Sequence, residues 1–332
     1  MNFTSSTEAK KIIANSKNIL LALHQSPDPD SIVSNVLMSR YLKSTGKKHK
    51  VICLEKVHEK FKKSYPFDEI EDGLNVKDVN FDDYDLFIAL DVNTFERFGF
   101  PKDISFKNVI NVDHHFTENS VNGLKVVDTT YSSASEMVFY LLEDFGYKLN
   151  SEEAGYALMG IVTDSDSFSY SYNSRVFRTV SKLIDLGGNY DRVNEIVYRN
   201  NSYSQIKFWG DVLGRVKVDA KNKFTYVSIP LKITKKYPDI LQGTRTVADK
   251  FIRTIENTNF GLVMIETEEG YLKISVRSKE SNFGVPELLR RLNGGGHFSG
   301  GGGRIDLPFE AAVKETLKIT RRFAKEFPNG SK

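Results

Sequence analysis

The strongest constraint in the sequence is where its short apolar runs end. Residues 19–23, 86–90 and 109–112 are brief, apolar and strand-like, and they lead straight into His24, Asp91 and Asp113. A fourth acid, Asp164, follows a helical stretch ending at Val162. Residues 31–42 carry helical spacing through Ile32, Val36, Met38 and Leu42. Residues 134–145, 152–162 and 175–186 also read as helices, the last capped by Gly187-Gly188. Strands alternating with helices predict an α/β fold on a mostly parallel sheet, with helices on both faces. In open sheets of this kind ligands gather beyond the carboxyl ends of the strands, where these acids and histidines stand.

The pattern changes after residue 188. Residues 189–212 read as a helical linker carrying Trp209, the chain's single tryptophan. Beyond it, strands at 224–229, 261–266 and 272–276 mix with helices at 246–256, 285–292 and 309–323. That predicts a second, smaller α+β domain over 213–332, beside a first domain over 1–188, with a glycine-rich loop at 294–303. A length of 332 residues is enough for two such cores. With 46 Lys+Arg against 43 Asp+Glu, the net charge of +3 is too small for coating nucleic acid and leaves room only for a local basic groove. The lone Cys53 cannot form an intrachain disulfide, which fits a reducing cytoplasm. The run at 19–23 is too short for a membrane span or a signal-peptide core.

His24, Asp28 and Asp30 share one segment, in which Pro27 and Pro29 are expected to stiffen a non-helical turn. Its two carboxylates, two residues apart, could face two neighbouring cations. Imidazole mixed with carboxylate suits Mn²⁺, Fe²⁺, Co²⁺ or Zn²⁺, whereas carboxylates alone favour Mg²⁺ or Ca²⁺. Two metals about 3.5–4 Å apart are the usual device for displacement at phosphorus. Each residue has an ordinary alternative: a lone Asp after a strand is often a cap or turn former, and adjacent histidines can be surface residues. Their joint placement along one α/β pattern points to a site.

In order and spacing these residues resemble the motifs of the DHH phosphoesterases, whose name-giving triplet is Asp113-His114-His115 here. His24-x-x-x-Asp28-x-Asp30, Leu90-Asp91 and Thr163-Asp164 match the other three motifs. Arg277-Ser278 and Gly294-Gly295-Gly296-His297 resemble the associated DHHA1 substrate domain. Length and layout are similar to the stand-alone NanoRNase/pAp phosphatase group, whose relatives cleave linear or cyclic dinucleotides.

The resemblance implies two divalent cations, manganese being expected. His24 and Asp28 would hold one, Asp30, His114 and Asp164 the other, and Asp91 would bridge them. Asp113 would orient a neighbouring imidazole, and His115 would contact the scissile phosphate and protonate the leaving oxygen. Arg97, Arg277, Ser278, Gly294, Gly295, Gly296 and His297 would contact substrate, the glycines forming a phosphate nest. Phe283 and Phe298 offer faces on which a base could stack. The implied activity is hydrolysis of short oligoribonucleotides and/or 3′-phosphoadenosine 5′-phosphate. The alternatives are a cyclic or linear dinucleotide phosphodiesterase, an exopolyphosphatase, or a nucleotide-binding regulator without catalysis. Expected partners are a short RNA or nucleotide, no long nucleic acid and no membrane; a homodimer is left open. The sequence departs from the family pattern at Pro29, where glycine is usual, and carries an extra acid, Asp166.

Overall fold

The computed structural model describes residues 3–57, 59–64, 68–92, 94–101, 103–115, 122–169, 171–237, 246–279, 283–298 and 300–331. The chain divides into two compact units, Met1–Asn200 and Asn201–Lys332. The boundary falls inside the stretch expected as a linker, which forms one helix in each unit.

The first unit contains α1 (Phe3–Asn15), β1 (Asn18–Ala22), α2 (Pro29–Ser44), β2 (Lys48–Cys53), α3 (Glu59–Ser64), β3 (Ile70–Asp72), β4 (Leu86–Leu90), β5 (Val109–Asp113), β6 (Leu124–Val127), α4 (Ala134–Asp144), α5 (Ser151–Asp164), α6 (Ser174–Asp185) and α7 (Tyr190–Tyr198). Its sheet runs β3-β2-β1-β4-β5-β6, with every pairing parallel. The order reverses between β1 and β4, which opens a crevice at their carboxyl ends. β4 and β5 are buried throughout, and a strand buried on both faces reads as a continuous apolar run.

One face of this sheet, through Ile19, Leu21, Ile88 and Val112, packs against α2, α4 and α5. The other face carries no comparable helices among the described residues. Leu20, Ala22, Phe87 and Ala89 meet a layer of Phe95, Phe98, Phe100 and Phe106 instead. The Phe87 ring stacks on Phe106 at 4.8 Å and meets Phe98 edge-on at 5.2 Å. Each aromatic side chain covers so much area that a short 3₁₀ turn, Phe95–Phe98, and its flanks can do the work of a helix.

The second unit contains α8 (Tyr203–Leu213), β7 (Lys217–Asp219), β8 (Phe224–Ile229), α9 (Leu231–Thr234), β9 (Phe260–Glu268), β10 (Tyr271–Ser278), α10 (Pro286–Arg291), β11 (Gly295–His297), β12 (Gly300–Ile305) and α11 (Phe309–Glu326). Its sheet runs β11-β12-β10-β9-β8-β7, antiparallel except for β8 with β9. The helix expected over 246–256 is a π turn, Val247–Phe251, followed by a 3₁₀ turn, Ile252–Thr254. Among the described residues no helix is long and apolar enough to cross a membrane.

Candidate metal centre

Pro29 does not keep its segment out of a helix; it occupies the first turn of α2. Proline is suited there, because the N–H it lacks would have no helical partner and its fixed φ is already helical. Asp28 becomes the N-cap, its Oδ1 accepting the Ser31 N–H at 3.1 Å. Asp30 therefore lies inside the helix, 1% exposed, rather than in an extended loop. Its oxygens accept the N–H groups of Ala134 at 2.7 Å and Ser135 at 3.0 Å, in the first turn of α4. Gly160 of α5 makes room for this seat: a Cβ there would lie 2.1 Å from Ser135 Oγ and 2.7 Å from Asp30 Oδ1.

His24 follows β1, and its Nδ1 lies 2.8 Å from the Gln25 carbonyl. A carbonyl only accepts, so Nδ1 carries the proton and Nε2 faces the acids. That nitrogen lies 3.5 Å from Asp91 Oδ2 and 3.8 Å from Asp28 Oδ1. Asp91 follows β4 in the left-handed region, φ +62°. Such a backbone costs a residue with a side chain about 1–3 kcal/mol and clusters at functional sites. The other Asp91 oxygen lies 3.5 Å from His114 Nε2, which is 3.2 Å from Asp164 Oδ2 at the end of α5. The six expected donors thus form two sets of three, His24, Asp28 and Asp91, and Asp30, His114 and Asp164, and a further set joins Asp91 and His114 to Asp113 and His115. Within each set the candidate ligand atoms lie within 4.8 Å of one another. Asp91 reaches toward an imidazole in both sets of three.

The electrostatics fit an excess of buried negative charge. Burial, together with the Asp91 charge, pushes the Asp30 carboxyl up to about 7. Burial and the charges of Asp30 and Asp91 hold Asp164 well above the carboxylate range against the opposing pull of His114. Burial opposes charge on Asp91 too, but the flanking imidazoles of His114 and His24 win and hold it below that range. Burial likewise disfavours imidazolium at His24 and His114. The carboxylates outweigh it, Asp28 and Asp91 for His24 and Asp91 then Asp164 for His114, and both rise to about 10. Asp91 Oδ1 and His114 Nε2 are buried with no aligned hydrogen-bond partner among the described residues. Unpartnered buried donors and acceptors are costly, and a shared cation would satisfy both. The C-terminus of α5, carrying Asp164, adds the negative end of a helix dipole. These residues fit a pair of divalent cations.

Asp113 is fully buried, and its Oδ1 accepts both the His115 N–H at 3.0 Å and His115 Nδ1 at 2.8 Å. The carboxylate therefore fixes the half-exposed His115 ring, leaving Nε2 as its free nitrogen. Arg97 is exposed on its 3₁₀ turn, and its carbonyl accepts the Gln25 N–H at 2.7 Å, which ties down the loop after His24. Asp166 opens a run of three left-handed residues with Ser167 and Phe168, in which Ser167 Oγ meets the Tyr198 hydroxyl of α7. Burial and the Asp166 charge push that tyrosine up to about 12.

In the second unit Arg277 donates from Nε to Asp249 at 2.6 Å, and Ser278 is buried at the end of β10. The glycine-rich segment is a β-hairpin rather than an open nest, with Gly295 opposite Gly302 and His297 opposite Gly300. Glycine is required by close approach: a Cβ at Gly296 would lie 2.4 Å from Gly301 Cα, and one at Gly294 2.0 Å from the Gly302 carbonyl. Phe283 offers no free face, being 7% exposed and stacked on Phe260 at 5.5 Å, whereas Phe298 is 41% exposed. Sequence reasoning missed Asn111 and Gly160, which carry no donor pattern of their own.

Residues 18–161 match the DHH family, N-terminal domain. The chain is 27% identical over 315 residues to the bifunctional oligoribonuclease and PAP phosphatase NrnA of Thermus thermophilus, covering 91% of this chain and 89% of that one. It is 25% identical over 300 residues to the NrnA of Bacillus subtilis, covering 88% and 90%. The crystal structure of an exopolyphosphatase-related protein from Bacteroides fragilis superposes with a TM-score of 0.88 at 26% identity, covering 98% of each chain. The matched segment contains five of the six candidate metal donors and the Asp113-His114-His115 triplet, so residues 18–161 form a DHH-family N-terminal domain.

Proposed function

We propose that this DHH phosphohydrolase cleaves short oligoribonucleotides and removes the 3′-phosphate of 3′-phosphoadenosine 5′-phosphate. The observation that carries this reading is the pair of three-donor sets joined at Asp91, in a chain aligned almost end to end with relatives named for those two activities. His24 and Asp28 would hold one divalent cation and Asp30, His114 and Asp164 the other, with Asp91 between. Bound there, the two ions would supply an acidified water and neutralise charge at the phosphate, and manganese suits this mixture of imidazole and carboxylate. His115, held by Asp113, is placed to give a proton from Nε2 to the leaving oxygen. Residues 213–332 would hold the rest of the substrate as a DHHA1 domain, through Arg277, Ser278, Gly294, Gly295, Gly296 and His297, with 189–212 as linker. The lone, buried Cys53 supports a cytoplasmic location.

The test is a labelled RNA series from dinucleotides to about 24-mers with added Mn²⁺, run beside 3′-phosphoadenosine 5′-phosphate. The expected outcome is turnover of the nucleotide and of the shortest RNAs only, because a bounded site positions just one short chain. Equal cleavage at every length would overturn it. The exopolyphosphatase-related neighbour supports a second reading, polyphosphate as substrate, and polyphosphate in the same assay separates the two.

A further inference from the structure

We propose that Asn111 is a positioning residue that holds Asp91 in its left-handed conformation, and with it the carboxylate shared by both donor sets. The inference rests on the metal reading above. Asn111 lies mid-way along β5, two residues before Asp113, and is 0% exposed. Side chains alternate along a strand, so Asn111 faces the same side as Val109, which packs into the phenylalanine layer. A primary amide buried against apolar side chains is costly unless its hydrogen bonds are made. Only one is: Nδ2 donates to the Val92 carbonyl at 2.7 Å, while Oδ1 is buried with no partner among the described residues. The contact that justifies an amide here is therefore the one to Val92.

Val92 is the residue after Asp91, and the Asp91 N–H donates to the Val112 carbonyl at 3.1 Å. The Asp91–Val92 dipeptide is thus tied to β5 at both ends, by its leading N–H to the β5 backbone and by its trailing carbonyl to the Asn111 side chain. Between the two ties Asp91 adopts φ +62°. A left-handed aspartate persists only where its surroundings over-determine it. Without the Asn111 tie the turn can relax, and the Asp91 oxygens leave their place between His24 and His114.

The experiment uses the full chain with Asn111→Leu, stripped of metal and titrated with Mn²⁺ by calorimetry and electron paramagnetic resonance, beside a thermal melt. Leucine relieves the unpartnered Oδ1 but strips the Val92 carbonyl of its donor, so the two effects oppose and the melting temperature should move little. Mn²⁺ affinity should fall roughly 10–100-fold, the range found for residues that orient metal ligands. A merely structural asparagine gives the reverse, a lower melting temperature with unchanged Mn²⁺ affinity, and that result would overturn the proposal. Should the leucine variant not fold, Asn111→Ser, too short to reach the Val92 carbonyl, provides the same comparison. Wild-type protein that bound no Mn²⁺ would instead remove the metal reading, and this proposal with it.

Discussion

The carboxylates of the site divide their oxygens between different tasks. Asp30 has both oxygens on backbone N–H groups of α4, Asp91 turns one toward each imidazole, and Asp113 gives one to His115. Asp113 lies in one cluster with Asp91, His114 and His115, but among the described residues its carboxylate hydrogen-bonds to His115, so manganese content and activity read its two effects separately. Asp113→Asn keeps the shape but removes the charge that holds the His115 proton. Activity should drop roughly 10–100-fold while bound manganese is unchanged. Metal analysis beside kinetics checks this, and lost manganese would make Asp113 a ligand instead. His24, Asp91 and Asp113 stood out in the sequence because each ends an apolar run, where sheet geometry gathers side chains, whereas Asp28 and Asp30 stood out only by their spacing from His24. Asn111 did not stand out, since its partner is a backbone carbonyl nineteen residues away, which no local pattern encodes.

Helix ends do the positioning at the scale of elements. Asp28 caps α2, Asp30 caps α4 from outside, and Asp164 ends α5. Proline spacing marked this region as special but suggested a loop; the first turn of a helix tolerates proline, and that placement draws Asp30 inward. The glycine-rich segment was legible as a place of close backbone approach, but a hairpin and an open nest demand the same residue. Gly160 has no sequence signal either, because its role is the absence of an atom between α5, α4 and Asp30. Gly160→Ala puts a methyl group into that seat, so overpacking should cost about 1–3 kcal/mol. If the seat is what holds Asp30, Mn²⁺ affinity also falls; denaturant unfolding and metal titration on the same sample test both. Lost stability with intact affinity would show that α4 is not what orients Asp30.

Over the whole molecule the chain builds two cores from 332 residues, and among the described residues all the candidate metal donors lie in the first while Trp209 lies in the second. A ligand that binds only the folded state stabilises it by mass action, about 2.7 kcal/mol at a hundred times its dissociation constant. For a unit of some two hundred residues this is a rise of roughly 5–10 °C. The Trp209 emission belongs to the packing of α8 against β8 and β9, where no candidate metal donor lies among the described residues. Adding Mn²⁺ to metal-stripped protein should therefore slow hydrogen exchange in β1, β4 and β5 and raise their unfolding temperature. The Trp209 transition should stay where it was. Equal shifts in both signals would mean that the two units unfold as one cooperative block. No shift in either would mean that the Asp and His clusters of the first unit hold no cation, and the crowding of Asp30, Asp91 and Asp164 would then need another cause.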